Sequence, residues 1–200
     1  RQGLKTAFTQ PNIWYKNSIQ SFKDMWNVYG GKNVMREVKA EILSRPNNLN
    51  GLYKKQKLDV GVIEEAYPTS TPEKIPVIGK AFKASQDAFT AWQYRTRADV
   101  FDKLYDVAQK TDADIEGLGL FVNSITGRGK LKTLEPVSGA INNIFFSPRL
   151  MRSNFDALTG HFFQRADMSP FVRKQAAIAS VKIIHEQYNE IKQQYLECVK

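Results

Sequence analysis

The chain has one cysteine and two histidines, and it has no apolar run long enough to cross a bilayer. Cys198 alone excludes an internal disulfide framework and a cysteine-based zinc site. It falls near the end of a predicted helix, as a bystander. A membrane span needs roughly 18 to 20 apolar residues. The longest stretches here, Gly119-Leu120-Phe121-Val122 and Ile144-Phe145-Phe146, break far sooner. No signal-peptide pattern opens the chain. Strand signals are nearly absent: there is no sustained alternation, and Asn50-Gly51 lies in a polar patch rather than between alternating runs. These absences lead us to expect a soluble, cytosol-compatible helical protein. The chain begins at Arg1 in mid-pattern, so we read it as a piece of a larger, intracellularly made protein.

What is present is enough for a core. Of 200 residues, 42% are hydrophobic and 12% aromatic, too apolar for a disordered chain. A chain this long hides roughly 70% of its unfolded surface, so a single domain is expected. The formal charge is +9. Residues 1–100 carry 16 Lys/Arg against 9 Asp/Glu (+7), and the remainder carries 13 against 11 (+2). Asp99 to Glu116 is acidic, and Phe121 to Gln175 is basic again. Excess positive charge favours polyanions such as nucleic acid or anionic lipid, and it also serves solubility.

Helical periodicity is widespread. A first helix is predicted over Asn12 to Tyr29, after Pro11, with Tyr15, Ile19, Phe22, Trp26 and Tyr29 on one aromatic face and Gly30-Gly31 as its stop. A second runs from Asn33 to Ser44, with Val34, Val38 and Ile42 on one stripe. A short third is placed at Asn47 to Leu58, where Leu49, Leu52 and Tyr53 face one way. Asp59 to Pro76, with Pro68, Pro72 and Pro76, is a connector. One long helix follows from Val77 to Lys110, its stripe running through Ile78, Phe82, Ser85, Phe89, Trp92, Thr96, Val100, Leu104 and Val107. A helix capped by Thr111 or Asp112 is predicted over Ala113 to Ile125, and others over Glu135 to Phe146 and Arg149 to Leu158. Ser169-Pro170 reads as an N-cap and first-turn proline opening a final helix to Val199, with a more exposed tail. The expected fold is all-α, a bundle of about seven or eight helices with two long ones, 77–110 and 170–199.

No catalytic constellation stands out. Nucleophilic catalysis needs a base beside a Ser or Cys, and neither His161 nor His185 has a partner set by local spacing. Asp156 and His161 can meet across a turn, but nothing else accompanies them. His-x-x-x-His spacing is missing, so no metal and no cofactor are expected. Asp99, Asp102 and Asp106 share a helix face; with Arg95, Arg97 and Lys103 nearby they read as a solvated face or docking edge rather than an acid–base pair. Thr126-Gly127-Arg128-Gly129-Lys130 is a basic turn whose backbone N–H groups can converge on a phosphate, although it is not a Walker motif. Arg149 and Arg152 sit against the helix dipole and call for acidic partners or phosphate. Arg128, Lys130, Lys132, Arg149 and Arg152 are therefore the candidate nucleic-acid contacts. Trp14, Trp26, Trp92, Phe145, Phe146, Phe162 and Phe163 can stack on bases, but aromatics at helical spacing more often form core.

Several segments occur together in a known order: Arg1-Gln2-Gly3-Leu4, the Ser85 to Arg97 helix leading to Phe101, Phe121-Val122-Asn123 with Thr126-Gly127-Arg128-Gly129, Phe145-Phe146-Ser147-Pro148-Arg149, and Pro170-Phe171-Val172-Arg173-Lys174-Gln175. Across nearly its whole length the chain resembles a helical "large polyvalent protein associated" domain of bacteriophages and related mobile elements. The resemblance implies a place within a very large protein that is packaged in the virion and delivered into the bacterial host, with any enzymatic modules elsewhere in that parent chain. It carries over no catalytic residue. The expected role is a non-catalytic structural or interaction module, contacting other domains of the parent, further copies of itself, or portal and tail proteins. The alternative is non-specific nucleic-acid binding through the five basic residues above. A third reading lays the Tyr15 to Tyr29 helix in a membrane interface.

Overall fold

A computed structural model describes residues 2–60, 76–127, 156–159 and 166–198. Its described elements are all helical: α1 (Gln2–Thr9), α2 (Pro11–Tyr29), α3 (Val34–Leu43), α4 (Pro46–Leu49), α5 (Leu52–Lys55), α6 (Pro76–Lys110), α7 (Leu118–Ile125) and α8 (Pro170–Cys198). The all-α reading and both long helices are borne out, within a residue at each end. No strand occurs among the described residues, and no helix among them is long and apolar enough to cross a membrane.

Local chemistry explains most boundaries. Asn33 caps α3, its side-chain oxygen accepting from Arg36 N–H. Ser169 caps α8, its hydroxyl oxygen accepting from Val172 N–H at 3.3 Å, with Pro170 in the first turn. Two expectations need correction. The Asn47 to Leu58 helix is two single turns, α4 and α5, separated at Gly51, which takes the left-handed conformation at φ 70°. Tyr53 is buried, but Leu49 stands in solvent. The Ala113 to Ile125 helix is shorter. Residues 111–117 form turns, with Asp112 at positive φ, and α7 begins only after Gly117 at φ 80°. The α1 helix was not foreseen at all. The connector at 61–75 and the helices expected over Glu135 to Phe146 and most of Arg149 to Leu158 lie outside the described residues.

The core gathers around α7. Leu118, Phe121, Val122 and Ile125 are buried, and so are Asn123 and Ser124 between them. A helix buried on nearly all sides sits at the centre of a fold. Against it pack Val34, Val38 and Ile42 of α3, Tyr53 of α5, Tyr94, Ala98 and Phe101 of α6, and Val172, Ala176 and Ala179 of α8. The Tyr53 and Phe101 rings meet edge to face at 5.2 Å. On α6 the buried side chains run nearly all round from Ala91 to Phe101, whereas Ser85 and Val107 of the predicted stripe point outward. Alanines at 84, 88, 91, 98 and 108 let neighbouring helices come close.

Backbone contacts seat α7. Its Asn123 acts as a clamp on the segment after α5: the side-chain carbonyl accepts from Asp59 N–H at 2.9 Å, and the amide donates to Lys57 carbonyl at 2.9 Å. One turn earlier, Gly119 lies so near this segment that a Cβ would stand 2.0 Å from the Gln56 carbonyl oxygen. Arg97, fully buried, donates to Thr126 Oγ1 at 3.2 Å and to the Asp59 carbonyl at 3.2 Å, joining α6 to both. Gly119→Ala should force these backbones apart and cost about 2–3 kcal/mol. The check is the urea midpoint, which falls with an unchanged m-value; an unshifted midpoint would mean that the close approach is not maintained in solution.

Candidate functional site

The most extensive packing among the described helices is α2 along α6, and it runs against the usual polarity. The buried α2 residues are Asn17 and Asp24. The aromatic face predicted from the sequence points to solvent: Phe22 is 66% and Trp26 70% exposed, and Tyr15, Ile19 and Tyr29 are exposed with them. This overturns the more common expectation that such a stripe is core. Asn17 donates to Thr96 Oγ1 and to Asp99 Oδ2 (3.3 and 3.0 Å), and the Ser21 hydroxyl donates to the Ala88 carbonyl (3.3 Å).

Two arginines complete the joint. Arg45, between α3 and α4, donates to Glu41 (2.9 Å), Asp99 (2.7 Å) and Asp102 (3.0 Å). Arg95 of α6 donates to Asp24 and, through Nε, to Glu41 at 3.0 Å. Glu41 bridges the two guanidiniums. Asp102 also accepts from Asn47 (2.8 Å) and from the Tyr53 hydroxyl (2.8 Å). The guanidinium fork suits such shared carboxylates, which a point-charge ammonium would not hold together. Burial alone would raise the Glu41 carboxyl, but hydrogen bonds from Arg45 and Arg95 outweigh it and hold the group below its ordinary value. Burial likewise opposes the charge on Arg45 and Arg95, and their carboxylate partners more than restore it. Burial and the hydrogen bond to Asp102 raise the Tyr53 phenol.

A groove of about 640 Å³ opens over this joint, lined by Tyr15, Ile19, Lys16 and Lys23 on α2 and by Arg45, Arg95, Glu41 and Asp99 below. Its arginines are committed to carboxylates, and no nucleophile with an adjacent base lines it. What it offers is one aromatic and one aliphatic side chain, Tyr15 and Ile19, beside two lysines. Asp99 and Asp102, read from the sequence as a solvated face or docking edge, are thus the seat of the internal network, and only Asp106 of the three is exposed. Sequence reasoning missed Asp24, Glu41 and Arg45. The one available signal was polar residues at three-and-four spacing on α2, opposite its aromatic face.

A second polar cluster is buried where α1 meets α7. Lys5 Nζ donates to the Ser124 carbonyl at 3.1 Å, and the Ser124 hydroxyl donates to Asp156 at 3.5 Å. Burial pushes the Lys5 amine down to about 7, only partly opposed by the charge on Asp156. Lys5 reaches the serine's carbonyl rather than its hydroxyl, and all three residues are buried. The cluster joins α1 to the core.

The five candidate contacts Arg128, Lys130, Lys132, Arg149 and Arg152 lie outside the described residues, as do His161, Phe145, Phe146, Phe162 and Phe163. Of the remaining candidates, Trp92 is buried and stacked on Phe89 at 5.8 Å, and Trp14 is half-buried. Trp26 meets Tyr29 edge to face at 6.4 Å on the open face of α2. His185 is exposed on α8. Among the described residues, no cluster of His, Cys, Asp or Glu has metal-binding geometry.

Two outcomes follow. Arg45→Met removes one guanidinium from Glu41, Asp99 and Asp102, which keep Arg95, Asn17, Asn47 and Tyr53 as partners, and should cost about 2 kcal/mol, with Arg45→Lys recovering less than half; thermal or urea unfolding of both variants reads this. Lys5 binds more protons unfolded (10.5) than folded (about 7). Its contribution to stability therefore rises with pH between those values and is lost as pH falls to about 7. Lys5→Met should flatten that rise, and an unchanged slope would place the titration elsewhere. In comparisons with known proteins, no family model, no curated protein and no solved structure matches this chain.

Proposed function

We propose that this chain is a non-catalytic interaction module of a large, virion-associated phage protein that is ejected into the host. The observation that carries the interaction role is the inverted α2 helix. Its polar side chains are spent on Arg95, Thr96 and Asp99, so that Tyr15, Ile19, Phe22, Trp26 and Tyr29 face outward as one continuous strip. Exposed aromatics in a row, rimmed by Lys16 and Lys23, have the composition of a protein–protein interface core. Trp and Tyr are the residues that most often dominate binding energy. The phage setting rests on the segment order described above, from Arg1-Gln2-Gly3-Leu4 to Pro170-Phe171-Val172-Arg173-Lys174-Gln175.

Nucleic-acid binding is the second reading, supported by the +9 charge. Titrating labelled duplex and single-stranded DNA at low and near-physiological salt separates the two. The interaction-module reading expects weak binding. Tight binding that falls steeply with salt would count phosphate contacts and reverse the order.

The direct test is a Phe22→Glu/Trp26→Glu double variant. Both side chains are mostly in water, so the melting temperature should stay within a few degrees. Introduced into the parent gene, the change should deplete the parent protein from purified virions or block its ejection. Enzymatic modules elsewhere in the parent should keep their activity in vitro. Normal packaging and ejection by the folded variant would refute the role given to α2.

A further inference from the structure

The second open surface is the C-terminal half of α8. Val172, Ala176, Ala179 and Ile183 pack on the body of the protein. From Ile184 to Cys198 every residue is exposed or half-exposed, so about 15 residues, roughly 22 Å of helix, leave the core. An isolated helix of that length is marginal in water. Its apolar residues are nonetheless ordered: Val181, Ile184, Tyr188, Ile191, Tyr195 and Cys198 alternate by three and four. This is a heptad seam with Val181, Tyr188 and Tyr195 at a and Ile184, Ile191 and Cys198 at d. Five of the six are large hydrophobics standing 49–67% in water. The seam is rotated off the buried face, so packing on the body does not use it.

We infer that α8 self-associates, its seam pairing in parallel and in register with the same seam of a further copy of this chain. This rests on the interaction-module reading but on a different helix from α2. Charge favours a like partner. From Val181 to Cys198 there are two Lys and three Glu (−1) in a chain of +9, so two copies of this segment can lie together without the mutual repulsion that a basic segment would meet. The flanks permit a parallel arrangement: in that register Gln187 faces the partner's Lys192 and Ser180 faces the partner's His185, and no like charges meet. With Ile178 beside the seam, the exposed apolar side chains offer roughly 600 Å² per copy, approaching the ~800 Å² per partner of a standard-size interface.

The test uses the whole 22.8 kDa chain. Sedimentation equilibrium should give a mass that is a multiple of the monomer, and Ile184→Glu/Ile191→Glu should reduce it to the monomer without lowering the melting temperature of the body. Mild oxidation with copper–phenanthroline should cross-link Cys198 to the partner's Cys198, at least tenfold faster than in the double variant and not at all in Cys198→Ser. A monomeric mass would overturn the proposal. So would an oligomer unaffected by the double variant, or one that never cross-links through Cys198. The Phe22→Glu/Trp26→Glu variant should keep the oligomer. If it alone dissolves the assembly, the α8 inference fails while the role of α2 stands.

Discussion

Everything on the α2 side of the molecule depends on how two guanidiniums are shared among four carboxylates. Arg45 and Arg95 meet at Glu41 and reach out to Asp24, Asp99 and Asp102. The chain segments they join are far apart in sequence: α2, α3 and the turn after it, and the middle of α6. A buried charge pair contributes little net stability compared with apolar packing, but breaking one is costly. The network therefore specifies orientation more than it adds stability. It determines which side of α2 faces inward, and so which side is left for partners.

The other half of the fold is organised differently. Only Leu120 of α7 is partly open to solvent, and short-range backbone contacts fix the helix's place. Asn123 substitutes for a strand neighbour by pairing with Lys57 and Asp59, Gly119 admits the chain at Gln56, and Arg97 ties Thr126 to α6. A rigid centre of this kind lets the surface helices carry apolar residues outward without losing the core. Among the described residues, apolar strips on α2 and on α8 face outward, and the polar groups buried under α2 and beside α7 form internal joints. That arrangement is what the proposed interaction role requires.

Legibility followed the range of the interactions. The cap at Ser169, the proline starts at Pro11 and Pro170, and the Val34–Val38–Ile42 stripe are short-range features, and each was readable from neighbouring residues. The turns at 111–117 were not. Alanine, aspartate and isoleucine there look helical, but a carbonyl–hydroxyl bond from Ser169 to Asp114 and the N–H of Ser169 on Glu116 hold the segment as a loop against the start of α8. Of the candidate site, the aromatic face of α2 was visible as a pattern, whereas its direction was not.

The sequence by itself determined the helical class, the two long helices and the presence of amphipathic strips, because hydrogen bonding within a helix and side-chain period are local. Only the tertiary structure decided which way those strips face. Hydrophobicity ranks the aromatic side of α2 as the inner one. A neighbouring helix that offers Arg95, Thr96 and Asp99 instead of an apolar groove makes the polar side the better fit. That preference resides in residues about seventy to eighty positions away, and no local pattern reports it.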